Sequence, residues 1–233
     1  MKRLGRYLFI LAAVMVLWNT VAIKPLKIFT VYLHELGHAL MAFLFGYGIQ
    51  SFRVNFNESG YTLVQPKGWF STFMIANGGY LGSILFALLI LYLKRTALKN
   101  YILGVLAILF LAVSIRFSGF SFTLLYSIIF AGFVLVVYML HNEKVNDWVI
   151  DIIGISSAAY AIYDTFVDTI LLQLNLQFHL IGGWNQQPLT DAMQLAKLTH
   201  IPAAVWGMIW LAIALLAVNA TLLKAPASGK GKR

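Results

Sequence analysis

Apolar residues run along this chain in blocks of about helix-spanning length, separated by short polar or basic interruptions. An α-helix needs about 20 largely apolar residues to cross a bilayer. The blocks at 7–23, 28–47, 70–93, 101–117, 121–140, 148–172 and 201–223 therefore predict membrane spans. Only Arg116, Ser118 and Gly119 interrupt the stretch from 101 to 140, which fits two spans or a span and a shallower hairpin, so the count is six or seven. The first block follows a basic start but ends without the small-residue site at which signal peptides are cleaved, and it reads as a retained span.

Two connections break the pattern. From Gln50 to Val64 the period falls to two, with Phe52, Val54 and Phe56 on one side and Arg53, Asn55 and Asn57 on the other. Glu58-Ser59-Gly60 then turns into Tyr61-Thr62-Leu63-Val64, which predicts a β-hairpin between two spans. From Gln173 to His200 the connection is longer than most and carries Gly182-Gly183-Trp184-Asn185 and Thr190-Asp191-Ala192. Connections of that length are often functional or disordered.

Composition agrees with a membrane class: 61% hydrophobic and 11% charged residues, with a mean hydropathy of +0.82, lie far from soluble usage. The net charge of +9 comes from Lys and Arg in short loops and at the two ends, as membrane proteins place them, so no nucleic-acid partner is expected. The three basic clusters cannot all fall on one side of seven simple spans; an inside N-terminus is the favoured orientation. Cysteine is absent, which excludes a disulfide framework, a thiol nucleophile and cysteine-bound zinc. The fold expected is an all-α, polytopic bundle of six or seven transmembrane helices with a small membrane-associated hairpin. It forms a single domain over residues 1–223, followed by a disordered basic tail over 224–233.

The sharpest local signal is His34-Glu35-Leu36-Gly37-His38. Residues four apart share a helix face, so both imidazoles can reach one zinc ion with Glu35 beside it as general base. The surrounding block is apolar, and an ionisable group at membrane depth costs about 2.5–3.5 kcal/mol or more without a partner. Three such groups within one turn call for a joint explanation, which a shared Zn2+ provides. The alternative is that they hydrogen-bond to neighbouring helices as structural glue.

Catalytic zinc takes three protein ligands and keeps a position open. Helix 148–172 offers Asp151, Asp164 and Asp168. Asp151 lies near a helix end, beside Asp147 and Trp148, and reads as interfacial or capping. Asp164 lies nearest the depth of His38, and Asp168 about one turn (~6 Å) farther out. Asp164 is thus the expected third ligand and Asp168 its alternative, with His179 or no third protein ligand as the remaining readings. His141, His179 and His200 otherwise read as residues of the membrane border.

These residues carry a resemblance. His34-Glu35-Leu36-Gly37-His38-Ala39-Leu40 in an apolar span, a following hairpin and a later membrane aspartate resemble the site-2 protease family of intramembrane zinc metalloproteases. The details are most similar to its small branch without PDZ or CBS domains. They are Gly79-Tyr80-Leu81-Gly82, then Tyr163-Asp164 with Asp168, then Thr190-Asp191-Ala192, Leu198-Thr199, Pro202 and Trp206. The Leu-Asp-Gly and Asn-Pro-Asp-Gly sequences of better-studied members are absent, and Asp164 is followed by Thr165.

The resemblance implies hydrolysis of a membrane-protein substrate, a single transmembrane segment, within or beside the lipid bilayer. Asn77 is the candidate to donate to a developing oxyanion; its alternative is helix packing with Gly78, Gly79 and Gly82. A helical substrate hides its carbonyls, so the hairpin would hold it extended by strand addition; the alternative is that residues 50–64 form an ordinary polar loop. Two rivals stand beside the protease: a non-catalytic binding or regulatory relative, and an ion or metal transporter.

Overall fold

A computed structural model describes residues 3–179 and 190–222. The expected Gly182–Asn185 loop and the basic tail lie outside these residues. Helix α1 covers Arg3–Val16, and α2 covers Lys24–Phe45, with Pro25 in its first turn where no N–H is needed. The hairpin β1 (Ile49–Val54) and β2 (Gly60–Val64) follows. Next come α3 (Trp69–Leu93), α4 (Ile102–Phe117), α5 (Phe122–Met139) and α6 (Glu143–Thr165). A π-helical turn over Phe166–Leu171 carries α6 into α7 (Leu172–Phe178). The chain ends on α8 (Asp191–Thr199) and α9 (Ala203–Leu222).

Six helices among the described residues are long and apolar enough to cross a membrane, as a multi-pass membrane protein requires. The ambiguous stretch from 101 to 140 supplies two of them. The predicted first span is shorter than expected, because α1 stops at Val16 and Thr20 folds the chain back, its hydroxyl donating to Leu17 O at 2.7 Å. Fourteen residues reach about 21 Å at 1.5 Å each, short of a hydrocarbon core of about 30 Å.

The crossing of α2 and α3 is built on glycine. A Cβ added at Gly78 would come within 2.7 Å of Gly37 O, and one at Gly82 within 2.6 Å of Gly37 Cα. Backbone therefore meets backbone, the close approach that small residues permit between membrane helices. On its other side α2 is fixed by Tyr32, whose ring stacks on Phe110 of α4 at 3.8 Å and whose hydroxyl donates to Phe110 O at 2.8 Å.

Helix α1 is held by charge. Arg6 meets Asp151 of α6 at 2.6 Å, and Lys94, just past α3, meets the same carboxylate at 2.5 Å. Asp151 is thus not a capping residue; it is fully buried between two cations. The cap of α6 is Asn142, whose side chain accepts from the N–H groups of Lys144 and Val145.

The hairpin forms as its alternation predicts, antiparallel, with Phe52 opposite Thr62 and Val54 opposite Gly60. Phe52 and Val54 are buried, but Phe56 lies beyond the end of β1 and is exposed, under Lys24 Nζ at 3.8 Å. The hairpin runs back along α2, since Thr62 bonds Glu35 and Glu58, in the turn, meets Lys27 at 3.4 Å.

Thr123 of α5 donates to Val54 O and accepts from Val54 N–H, so both groups of Val54 point away from β2. Val54–Gly60 is then a non-hydrogen-bonded pair, and so by alternation is Phe52–Thr62. The N–H and C=O groups of Gly60 and Thr62 therefore face outward on β2, the edge with no strand partner among the described residues.

Candidate metal centre

His34 and His38 are one turn apart on α2, and their side chains converge. Their Nε2 atoms are 3.2 Å apart, and Asp191 Oδ2, on the first residue of α8, lies 3.1 Å from each. These three side chains form the group of metal-capable donors among the described residues. His38 Nδ1 bonds Ile75 O on α3 at 2.7 Å, which fixes the ring with Nε2 turned to the centre. Metal-binding histidines are held in this way by an outer partner on the second nitrogen. Burial opposes ionisation of Asp191, yet His38 and His34 beside it hold its carboxyl well below the usual carboxylate range.

The donor set fits zinc. Tetrahedral ligands at about 2.0–2.1 Å from an ion stand about 3.3–3.4 Å from one another, close to the spacings of this triangle. Two imidazole lone pairs and a carboxylate oxygen brought this near repel unless protons or a cation lie among them. Space is kept open on the α3 side by Gly79, where a Cβ would collide with Nε2 of both His34 and His38.

The expected third ligand, Asp164, and its alternative, Asp168, stand outside this trio. Asp168 lies in the π-helical turn and accepts from Tyr80 Oη at 3.0 Å. The Tyr80 ring in turn meets His34 edge-on at 4.7 Å and stacks on Trp210 of α9 at 4.7 Å. Asp168 thus reaches the His34 ring through Tyr80. His179 and His200 each close a helix in the left-handed conformation, after α7 and α8, and belong to no donor group among the described residues.

The third donor comes from a residue whose motif was visible in sequence while its role was not. Asp191 sits at the start of a nine-residue helix, too short to span, so depth along the spanning helices does not point to it. Thr190 caps that helix, and Ala192 and Leu195 bury against Ala76, Tyr80 and Trp210, which carries Asp191 to the depth of α2. A cap followed by a buried face at i and i+3 is the signal that was available.

Glu35 is 5% exposed and is an electrostatic neighbour of His38, His34 and Asp191. It faces the hairpin, with the Thr62 hydroxyl 2.8 Å from its Oε2 and 3.1 Å from its backbone carbonyl. A Cβ at Gly60 would stand 2.7 Å from Oε1, so the β2 backbone itself walls the carboxylate. Asn77 is engaged elsewhere: its amide nitrogen donates to Phe73 O at 2.8 Å, and its oxygen accepts from Trp210 Nε1 at 2.8 Å. Those are bonds within α3 and across to α9, the packing alternative.

A family described as Peptidase M50B-like matches residues 7–221, a stretch that contains the trio, Glu35 and the hairpin. This agrees with the resemblance to site-2 proteases read from the motifs. No curated protein and no solved structure matches the chain.

Proposed function

Because the chain belongs to the Peptidase M50B-like family, whose members are zinc-dependent metallopeptidases, we propose that it hydrolyses peptide bonds of membrane-protein substrates within or beside the bilayer. In this reading His34, His38 and Asp191 hold Zn2+, and Glu35 is the general base. The observation that carries it is the meeting of three donor atoms from α2 and α8, 157 residues apart in sequence, beside a buried carboxylate.

A bound zinc ion supplies Lewis acidity, polarising a carbonyl and acidifying water. The chain's own residues do the rest. Glu35 takes a proton from the water that attacks the peptide carbonyl, and returns one to the departing amine as the C–N bond breaks. The outward N–H and C=O groups of Gly60 and Thr62 offer an edge on which an extended substrate segment can pair. Pairing there exposes carbonyls that a helical substrate hides, next to the base.

The test is hydrolysis of a single-span substrate by purified protein in lipid nanodiscs, with metal content measured on the same samples. Zinc-dependent cleavage that disappears in Glu35→Gln supports the reading. Zinc binding with no cleavage by the unaltered protein would leave a metal-binding relative without protease activity.

A further inference from the structure

We propose that Thr62 is a positioning residue for Glu35, so that the strand offered to the substrate also sets the geometry of the base. The inference rests on the reading of Glu35 as general base. Its ground is the 2.8 Å contact between the Thr62 hydroxyl and Glu35 Oε2, with Gly60 against Oε1 on the same strand. A glutamate side chain has three rotatable bonds, and α2 alone does not choose among their rotamers. The hydroxyl has one hydrogen and two acceptors on the same residue, and the carboxylate is the nearer and stronger. One bond to Oε2 and a backbone wall at Oε1 hold the carboxylate from the hairpin side.

Thr62 is itself fixed from the protein core. It stands opposite Phe52, which is fully buried and packs on Tyr32 at 4.8 Å, and Tyr32 is locked to α4. The position of the base is thereby referred to the bundle through two side chains and one strand pair. The main chain of Thr62 points the other way, toward the open edge. One residue therefore addresses substrate with its backbone and the base with its side chain. Tyr61 and Leu63, its neighbours on the strand, turn their side chains to the exposed face and take no part in this contact.

The experiment compares the unaltered protein, Thr62→Val, Thr62→Ser and Glu35→Gln in nanodiscs, reading zinc content, kcat and KM. It also reads the infrared carboxyl band that Glu35→Gln removes, in metal-free samples. Thr62→Val is expected to lower kcat by about 10–100-fold, the usual cost of losing an outer partner, with KM and zinc content unchanged, and to move the Glu35 band. Thr62→Ser keeps the hydroxyl and should restore both. Thr62→Val turning over as fast as the unaltered protein, or Thr62→Ser as slow as Thr62→Val, overturns the inference. The second result would show that keeping the hydroxyl is not enough to hold the base. Absence of any Glu35-dependent hydrolysis in the unaltered protein removes the protease reading, and the positioning role with it, even if the band moves; that outcome is distinct, because it appears before any change at Thr62.

Discussion

Asp191 Oδ2 stands 3.1 Å from His34 Nε2, joining the first turn of a short interior helix to the middle of a spanning one. That relationship predicts the order of metal loss among the aspartates. Asp191→Asn replaces a carboxylate with a much weaker neutral donor and should reduce zinc affinity more than Asp164→Asn or Asp168→Asn. Asp168→Asn, acting through Tyr80 on His34, should cost on the order of 10-fold. A zinc titration of the three purified variants checks the order, and a larger loss in Asp164→Asn would return the third position to that residue.

Glu35→Gln should fold and bind zinc like the unaltered protein while losing hydrolysis, because the amide cannot accept a proton from water. His34→Ala and His38→Ala should lose the metal itself. Chelation should silence the unaltered protein and added zinc should revive it. Persistent cleavage by Glu35→Gln argues against the general-base role.

Gly79→Ala should weaken zinc binding without touching a donor. Its new methyl group would have to displace both imidazoles or part the backbones that meet at the Gly37 crossing. A loss of about 10–100-fold in affinity is expected, comparable to removal of an outer partner. Gly132→Ala, where nothing lies within 4 Å of the added carbon, is the control. Equal zinc affinity in the two variants would show that the histidines have other room.

The spans, the hairpin and the histidine helix were legible because each rests on a local period: long apolar runs, alternation around Phe52 and Val54, and a four-residue spacing. Asp191 and Asp151 were not, for one shared reason. Their roles depend on which element a carboxylate meets across the bundle, and sequence near them describes only their own helix. Asp151 read as interfacial or capping from Asp147 and Trp148 beside it; its partners Arg6 and Lys94, which no neighbour in sequence announces, lie on two other elements. The early end of α1 was hidden because Leu17 and Trp18 continue its apolar pattern up to the turn at Thr20.

Removing the carboxylate between those cations should be costly. Asp151→Leu leaves Arg6 and Lys94 without their shared partner at a buried position and should destabilise the protein by about 3 kcal/mol. Replacing Arg6 and Lys94 by Met in the same chain should recover most of that loss, since no unpaired charge then remains. Unfolding in mixed detergent reads both changes. A stability of Asp151→Leu equal to that of the unaltered protein would mean the two cations find water instead.

The open edge of β2 predicts a defect in substrate capture that leaves the metal untouched. Val54 turns its polar groups to Thr123, so Ser51 and Leu63 exchange the ladder bonds within the hairpin, while Gly60 and Thr62 face outward. Leu63→Pro removes an inward donor and loosens the pairing that keeps the outer edge straight. Cleavage of a single-span substrate should fall, chiefly through a higher KM, and zinc content should stay the same because no ligand lies on the hairpin. Leu63→Ala, which keeps the N–H and shortens only an exposed side chain, should cleave nearly as well as the unaltered protein. Equal KM for the proline and alanine variants would detach substrate binding from the strand edge and leave Thr62 acting on Glu35 alone.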